Sequence, residues 1–395
     1  MKGKNIVLGV SGGIAAYKAA DLCSRLIKAG ANVDVVMTEH ATSFINPLTF
    51  QTLSGNPVVV KQFETPKGWE LAHISLSQKA DLFAIVPATA NIIAKMAHGI
   101  ADDFLSTALL ATTATVMIAP AMNTKMFEHP AVQENIETLR KRGVLVLETA
   151  EGRLACGDVG KGKLLDVEEI VFAMEKSLSK ADFSGLSLTI TAGPTEAAID
   201  PVRLITNRST GKMGFELARQ ASRRGAKVDL IAKTCPEKLQ RVVNWIPILT
   251  TGDMATAVAE SFKNSNGLIM AAAPLDYQPK QIEREKIKKS DGNLQLTLVR
   301  TVDILRTTPR QMEQVVIGFA AESQNLIENA KKKCKEKSLD LVVANDISRQ
   351  DIGFGSEENQ VSLVDLVGVE ALPKMTKASV ADRILDRFLR IRESK

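Results

Sequence analysis

Two segments of this 395-residue chain begin in the same way, and that duplication constrains its fold more than any other feature. Near the N-terminus an apolar run, Asn5–Val10, breaks at Ser11-Gly12-Gly13 and gives way to a helical pattern reaching Ala29. Gly30-Ala31-Asn32-Val33-Asp34-Val35 then opens a second apolar run. Far downstream, Ser187–Thr191 breaks at Ala192-Gly193-Pro194-Thr195, and a helix from about Gly211 ends in Gly225-Ala226-Lys227-Val228-Asp229-Leu230. Each copy reads as strand, glycine-bearing turn, helix, glycine stop, second strand. The first turn of an open parallel sheet leaves backbone N–H groups at a helix N-terminus, where the helix dipole favours an anion. Two such starts predict two domains, each with a phosphate-bearing ligand, and hence a bifunctional enzyme.

The alternation continues along the whole chain. Strand-like runs fall at Asn5–Val10, Asn32–Met37, Ala80–Val86, Ala114–Ile118 and Val144–Leu147 in the first half. In the second half they fall at Leu186–Thr191, Lys227–Ile231, Gly267–Met270, Val315–Phe319 and Leu339–Val343. Helical patterns between them predict an α/β fold of mainly parallel sheets covered on both faces. The length suits two domains. The polar stretch Lys176–Gly185 marks their boundary, giving domains 1–180 and 186–395. Gln278–Asn293, charged and poor in large apolar residues, reads as an excursion from the sheet that forms a flap.

Composition narrows the function classes. A content of 45% hydrophobic and 24% charged residues is that of a soluble globular protein. Apolar stretches are too short for a transmembrane helix or a signal peptide, so a cytoplasmic protein is expected. The net charge of +5 is modest, and aromatics are only 4%, which argues against a nucleic-acid surface. The clusters Lys286–Lys289 and Lys331–Lys337 suit local phosphate binding. Cys23, Cys156, Cys235 and Cys334 are widely spaced and predict neither disulfides nor structural zinc.

In the first half, Ser11-Gly12-Gly13 departs from G-x-G-x-x-G, and no acidic residue ends the second strand, so a mononucleotide fits better than a dinucleotide. Thr38 can cap the following helix and donate to a phosphate. Pro87-Ala88-Thr89-Ala90-Asn91 and Pro120-Ala121-Met122-Asn123 each follow a strand, at the edge where such sheets bind ligands. Small residues let a planar ring approach the backbone, while Thr and Asn supply directed hydrogen bonds; alternatively each is a strand-to-helix turn with an Asn cap. His73 is either a structural histidine or a site residue. Cys156, in a glycine-rich charged loop, is either a small core group or part of a lid.

In the second half, Asp200–Gly214 bridges strand to helix, with Ser209 or Thr210 as candidate caps and exposed donors suited to a phosphate or activated carboxylate. The glycine and lysine spacing is not that of a P-loop. Asp276 follows Ala271-Ala272-Ala273-Pro274-Leu275 at a strand end. Gly318-Phe319-Ala320-Ala321-Glu322 follows another strand. The lysine runs are either solvated surface or part of a nucleotide site.

On these motifs the first half resembles the homo-oligomeric flavin-containing cysteine decarboxylases, and the second half is similar to phosphopantothenate–cysteine ligases. The chain as a whole resembles the fused bacterial enzymes of coenzyme A biosynthesis nearly end to end. The resemblance implies a flavodoxin/Rossmann-like flavoprotein domain joined to a Rossmann-like ligase domain. It implies FMN held by Ser11, Gly12, Gly13, Thr38, Pro87, Ala88, Thr89 and Met122. His73 would be the acid/base or orienting group, Asn123 would hold the departing carboxylate, and Cys156 would supply the final proton. In the ligase half, Asn207 would hold an acyl-cytidylate and Lys286 would neutralise phosphate charge. Asp276 would coordinate Mg2+. Val302, Asp303, Ile304, Leu305 and Phe319 would line the CTP site, with Lys333 and Lys337 reaching the phosphates. The implied partners are 4′-phosphopantothenate, cysteine and CTP, in a trimer-based assembly with dimerising ligase domains, a dodecamer.

The chain departs from the family pattern at Glu196, at Pro274-Leu275 and at Lys163. The rival readings are a nicotinamide dehydrogenase with two Rossmann-like halves and a flavin- or nucleotide-binding regulator.

Overall fold

The computed structural model describes residues 1–62, 72–153, 157, 159–289, 293–322, 324–346 and 355–395, without the side chains of residues 72–75. The chain forms two compact units, Met1–Ser179 and Lys180–Lys395.

The first unit carries β1 (Asn5–Val10), β2 (Asn32–Met37), β3 (Val58–Val59), β4 (Leu82–Ala88), β5 (Thr115–Pro120) and β6 (Leu145–Val146). They form one parallel sheet in the order β3-β2-β1-β4-β5-β6. The chain runs outward from β1 to β3, then returns to the other side of β1, so a crevice opens beyond the carboxyl ends of β1 and β4. Alternate residues of β1 serve different layers. Ile6, Leu8 and Val10 pack with Ala19, Leu22 and Leu26 of the helix Ala16–Lys28. Val7 packs on the other face, with Phe83, Ile85, Ile92 and Phe104. Both faces are therefore buried, which is why these strands read as continuous apolar runs. An antiparallel pair, β7 (Ala150–Arg153) and β8 (Val159–Lys163), follows.

The second unit continues with β9 (Ser187–Ala192), β10 (Glu196–Ala198), β11 (Leu204–Thr206), β12 (Lys227–Ala232), β13 (Asn244–Pro247) and β14 (Gly267–Met270). After these come β15 (Tyr277–Pro279), β16 (Leu298–Arg300), β17 (Val315–Glu322) and β18 (Leu341–Asp346). The chain ends with β19 (Glu358–Asn359), β20 (Val361–Val364), β21 (Val369–Ala371), β22 (Met375–Thr376) and the helix Lys377–Glu393. An eight-stranded sheet has the order β13-β12-β9-β14-β17-β18-β20-β21. It is parallel as far as β18, and its last two strands are antiparallel. Its crevice opens beyond β9 and β14, the counterpart of that in the first unit.

The expected α/β architecture is present, and every predicted apolar run overlaps a strand. The short strands β3, β13, β20 and β21, at or next to the sheet edges, are not among the expected runs, since two to four residues are too few to show a period of two. One local expectation is corrected. Neither Ser209 nor Thr210 caps the helix Lys212–Arg223; its cap position is Gly211, at φ 75°, with no side-chain cap bond. Only glycine takes that left-handed geometry without penalty. The first-turn amides, which no intrahelical carbonyl can satisfy, thus remain available to a ligand. Gln278–Asn293 does leave the main sheet, through the antiparallel pair β15 and β16. Its arm is nevertheless tied down: Ile287 N–H donates to Asp200 at 3.1 Å, and Arg203 donates to the Ile287 carbonyl at 2.7 Å.

Candidate active sites

A cavity of about 1500 Å3 occupies the crevice of the first unit. Ser11, Gly12, Gly13, Thr38, Thr89, Met122 and Asn123 all line it. Ser11 is 1% exposed and ties two turns together. Its Oγ donates to the Pro87 carbonyl at 2.7 Å and accepts the Thr89 amide at 3.0 Å. Pro87 and Ala88, expected in the cavity wall, lie behind it instead. The Pro87 carbonyl is held by Ser11, and Ala88 is fully buried, accepting the Ala121 amide at 3.0 Å. Ala88 stands opposite Pro120 in the register, so the two Pro-Ala turns leave neighbouring strands side by side.

The amides of Gly12, Gly13 and Ile14 donate to no acceptor among the described residues, while Ala16 N–H already bonds the Gly13 carbonyl. Gly12 has no room for a side chain: a Cβ there would lie 2.4 Å from His40 Cβ. Thr38 caps the short helix Glu39–Thr42 by accepting the Ala41 amide at 3.3 Å. Asn123 caps Thr124–Phe127, its Oδ1 accepting the Lys125 amide at 2.8 Å. The β7–β8 hairpin seats on this turn, with Met122 N–H donating to the Gly162 carbonyl at 2.9 Å and Thr124 Oγ1 to the Lys161 carbonyl at 2.8 Å. Lys163 lines the cavity from that hairpin. Cys156 falls between β7 and β8 and lies outside the described residues, as does the side chain of His73, on the helix Ala72–Lys79.

The crevice of the second unit holds a cavity of about 950 Å3. Asn207, Asp276, Val302, Asp303, Ile304, Leu305, Phe319, Lys333 and Lys337 all line it. Asn207 Nδ2 donates to the Ala273 and Pro274 carbonyls at 3.1 and 3.0 Å, pinning the loop that presents Asp276. The same loop is held from behind, where Thr195 Oγ1 accepts the Leu275 amide at 2.9 Å. Lys337 pairs with Asp303 at 3.0 Å, and Lys333 donates to the Phe319 carbonyl at 2.6 Å. Lys286 is not brought to this cavity; it is exposed on the arm anchored through Ile287. Glu196, where the family pattern has arginine, pairs with Lys233 and lies outside the cavity wall.

Asn345, Asn359 and Lys377 are among the wall residues that carried no signal in the motif reading. Asn345 is the penultimate residue of β18, close to the strand-end placement that marked Asp276, and could have been found by that rule. Its Oδ1 is buried with no hydrogen-bond partner among the described residues. A buried unpaired acceptor costs about 1–3 kcal/mol, so this atom can accept a donor from water or from a ligand in the cavity. No cluster of three metal-ligating side chains occurs among the described residues. Asp276 alone suits Mg2+, which takes one or two carboxylates and completes its shell from substrate phosphates and water.

Comparison with known proteins decides the family. A flavoprotein family model matches residues 1–179, and one for the C-terminal domain of DNA/pantothenate metabolism flavoproteins matches residues 183–391. The chain is 46% identical to the coenzyme A biosynthesis bifunctional protein CoaBC of Bacillus subtilis, over 98% of this chain and 97% of that one. It belongs to the bifunctional coenzyme A biosynthesis family. The corresponding protein of Escherichia coli is 41% identical, covering 98% of this chain and 97% of its own. A crystal structure of the C-terminal domain of such a protein covers 55% of this chain and 100% of its own, at 36% identity and a TM-score of 0.46. In this family's two-part layout, the first cavity lies in the flavoprotein half and the second in the C-terminal half.

Burial, and next the neighbouring Lys337 charge, hold the Lys333 ammonium below the usual lysine range, against the opposing pull of Glu322, Asp276 and Asp303. A depressed lysine pKa means that folding expels the proton, so this group weakens the fold most below that pKa and is relieved as pH rises through it. A phosphate ligand needs the charged form. Nucleotide affinity is therefore expected to fall, on the alkaline side, before an ordinary lysine at about 10.4 would titrate. Lys333→Arg should move that limb upward in a titration of CTP binding against pH; an unmoved limb rules Lys333 out as its source.

Proposed function

We propose that the chain performs two consecutive steps toward coenzyme A. The C-terminal unit joins cysteine to 4′-phosphopantothenate at the expense of CTP, and the N-terminal unit decarboxylates the product to 4′-phosphopantetheine. The observation that carries this reading is the pair of cavities, one at each sheet crevice, in a chain that matches the bifunctional family over 98% of its length.

The first cavity fits FMN. Unpaired amides at Gly12, Gly13 and Ile14 suit its phosphate, and the turns at Thr89 and Met122 offer small-residue walls to a flat ring. FMN, when bound, supplies a hydride acceptor for the cysteinyl side chain, which places the carboxylate where CO2 can leave with its electron pair delocalised toward sulfur. Asn123 holds that carboxylate through Nδ2, since its Oδ1 is the cap acceptor. Cys156 would donate the proton to the enethiol left after CO2 loss, letting the hydride held by the flavin return to carbon so that the thiol product is redox-neutral overall, and His73 would orient or exchange the proton at the oxidised centre.

In the second cavity, the carboxylate of 4′-phosphopantothenate attacks the α-phosphate of CTP, forming acyl-cytidylate and releasing pyrophosphate. The amine of cysteine then displaces CMP. Asn207 holds the acyl-cytidylate and Asp276 carries Mg2+ with the phosphates. The unpaired Asn345 Oδ1 accepts from the exocyclic amine of cytosine. Lys286 neutralises phosphate charge from the arm anchored through Ile287. We place the protein in the cytoplasm as a homo-oligomer, a trimer-based flavoprotein core with dimerising ligase domains in a dodecamer. No described helix is long and apolar enough to cross a membrane. The exposed Leu204, Leu296 and Leu298 offer apolar contact area for pairing of the ligase units.

The test is to measure pyrophosphate, CMP and CO2 separately. Asn207→Asp should slow amide formation about 10- to 100-fold, the loss of one charge-assisted hydrogen bond, while pyrophosphate release survives better. Lys286→Gln should block pyrophosphate release itself. If the parent releases no pyrophosphate from CTP, the ligase reading fails. Equal loss of both products in both variants refutes the division of labour.

A further inference from the structure

The final helix, Lys377–Glu393, starts at the wall of the second cavity. Thr376 caps it by accepting the Ser379 amide at 3.2 Å, and Lys377 N–H donates to the Glu357 carbonyl at 3.0 Å, so the backbone of Lys377 is fixed on both sides. Lys377 is 4% exposed. Lys212 lines the same cavity and donates to the Glu357 carboxylate at 2.5 Å and to the Gly355 carbonyl at 2.8 Å. Lys212 is also the first residue of the helix Lys212–Arg223, so it stands beside the first-turn amides left open by Gly211.

Lys337 pairs with Asp303, Lys333 donates to the Phe319 carbonyl, and Lys286 stands off the cavity. At the Gly211 end the Lys212 ammonium meets the Glu357 carboxylate, and both charges act on Lys377 through space. The described charges that act on Lys377 are the Lys212 ammonium, which opposes its own, and the Glu357 carboxylate, which favours it. The Glu357 side chain is 83% exposed and screened by water. A helix N-terminus beside two lysines is a region of concentrated positive potential, complementary to a chain of phosphates.

We propose that Lys377 and Lys212 form the polyphosphate corner of this cavity, with Lys377 a binding residue for the nucleotide's phosphate chain and Glu357 holding Lys212 until the phosphates replace it. This rests on the CTP-dependent ligase reading. It assigns affinity for the phosphates, not the base, to Lys377 and Lys212.

The experiment is calorimetric titration of the full-length protein with CTP and, separately, with cytidine, which shares the base and ribose but lacks phosphate. Lys377→Met is expected to weaken CTP binding about 10- to 100-fold and leave cytidine binding unchanged. Lys377→Arg, which keeps the charge, should retain most of the CTP affinity. Exposed Glu357→Gln removes the competing carboxylate without touching the core and should tighten CTP binding about 2- to 5-fold, again without effect on cytidine. Equal weakening of both ligands by Lys377→Met, or no weakening of either, overturns the proposal. Should Lys377→Met not fold, Glu357→Gln decides, and unchanged CTP affinity there overturns it. A parent protein that binds no CTP at all sinks the ligase reading itself, before any variant is compared.

Discussion

Gly12→Ala is expected to give a colourless protein. The added Cβ would sit 2.4 Å from His40 Cβ and 2.9 Å from the His40 carbonyl carbon, so backbone, not a flexible side-chain tip, stands in its way. The turn must shift, and with it the open amides of Gly12, Gly13 and Ile14 that suit the flavin phosphate. Overpacking of this kind costs about 1–3 kcal/mol, and at the upper end FMN affinity falls more than ~100-fold. Visible absorbance after gel filtration measures the loss directly. CTP-dependent ligation should persist, because Gly12 lies in a separate compact unit. A yellow Gly12→Ala protein with parental FMN affinity would contradict the phosphate-turn assignment.

Asn123→Asp should abolish decarboxylation in a protein that stays folded and yellow. The cap explains why folding is spared: the Lys125 amide needs an acceptor, and a carboxylate oxygen serves as well as the amide oxygen. The remaining oxygen, however, replaces a donor with a second negative charge facing the substrate carboxylate. Two like charges about 4 Å apart repel by about 4 kcal/mol at an effective dielectric constant near 20, close to a thousandfold in rate. Stopped-flow absorbance separates flavin reduction from CO2 release. Residual CO2 release within tenfold of the parent would show that Asn123 does not hold the carboxylate.

Much of this architecture is legible because its strands are buried on both faces. Runs such as Leu82–Ala88 and the first half of Val315–Glu322 carry their signal in nearly every residue, and glycine marks where β1 and β9 give way to their turns. Edge strands lack that signal; Val58–Val59 is set by pairing with β2, not by its own pattern. Among site residues, those at strand ends could be read from turn chemistry, as with Asn123 and Asp276. Pro87 and Ala88 share the same motif but turn inward, because Ser11 claims the Pro87 carbonyl. Glu196 reads as an anomaly in sequence and resolves in space as the partner of Lys233. Lys377 could not be found from the chain alone. It is an ordinary first residue of a terminal helix, and only folding carries it to the cavity that Asn207 and Asp276 begin.

The position of that terminal helix sets an order on the ribosome. The first cavity has all its described wall residues once Leu164 has emerged. The second needs Lys377, and its core needs Val380, Ile384 and Phe388 from the helix that follows. At about 5–20 residues per second, a nascent chain can close its first pocket many seconds before its second exists. Premature termination before that helix is therefore a selective lesion: it spares the N-terminal pocket and removes Val380, Ile384 and Phe388 from the C-terminal core.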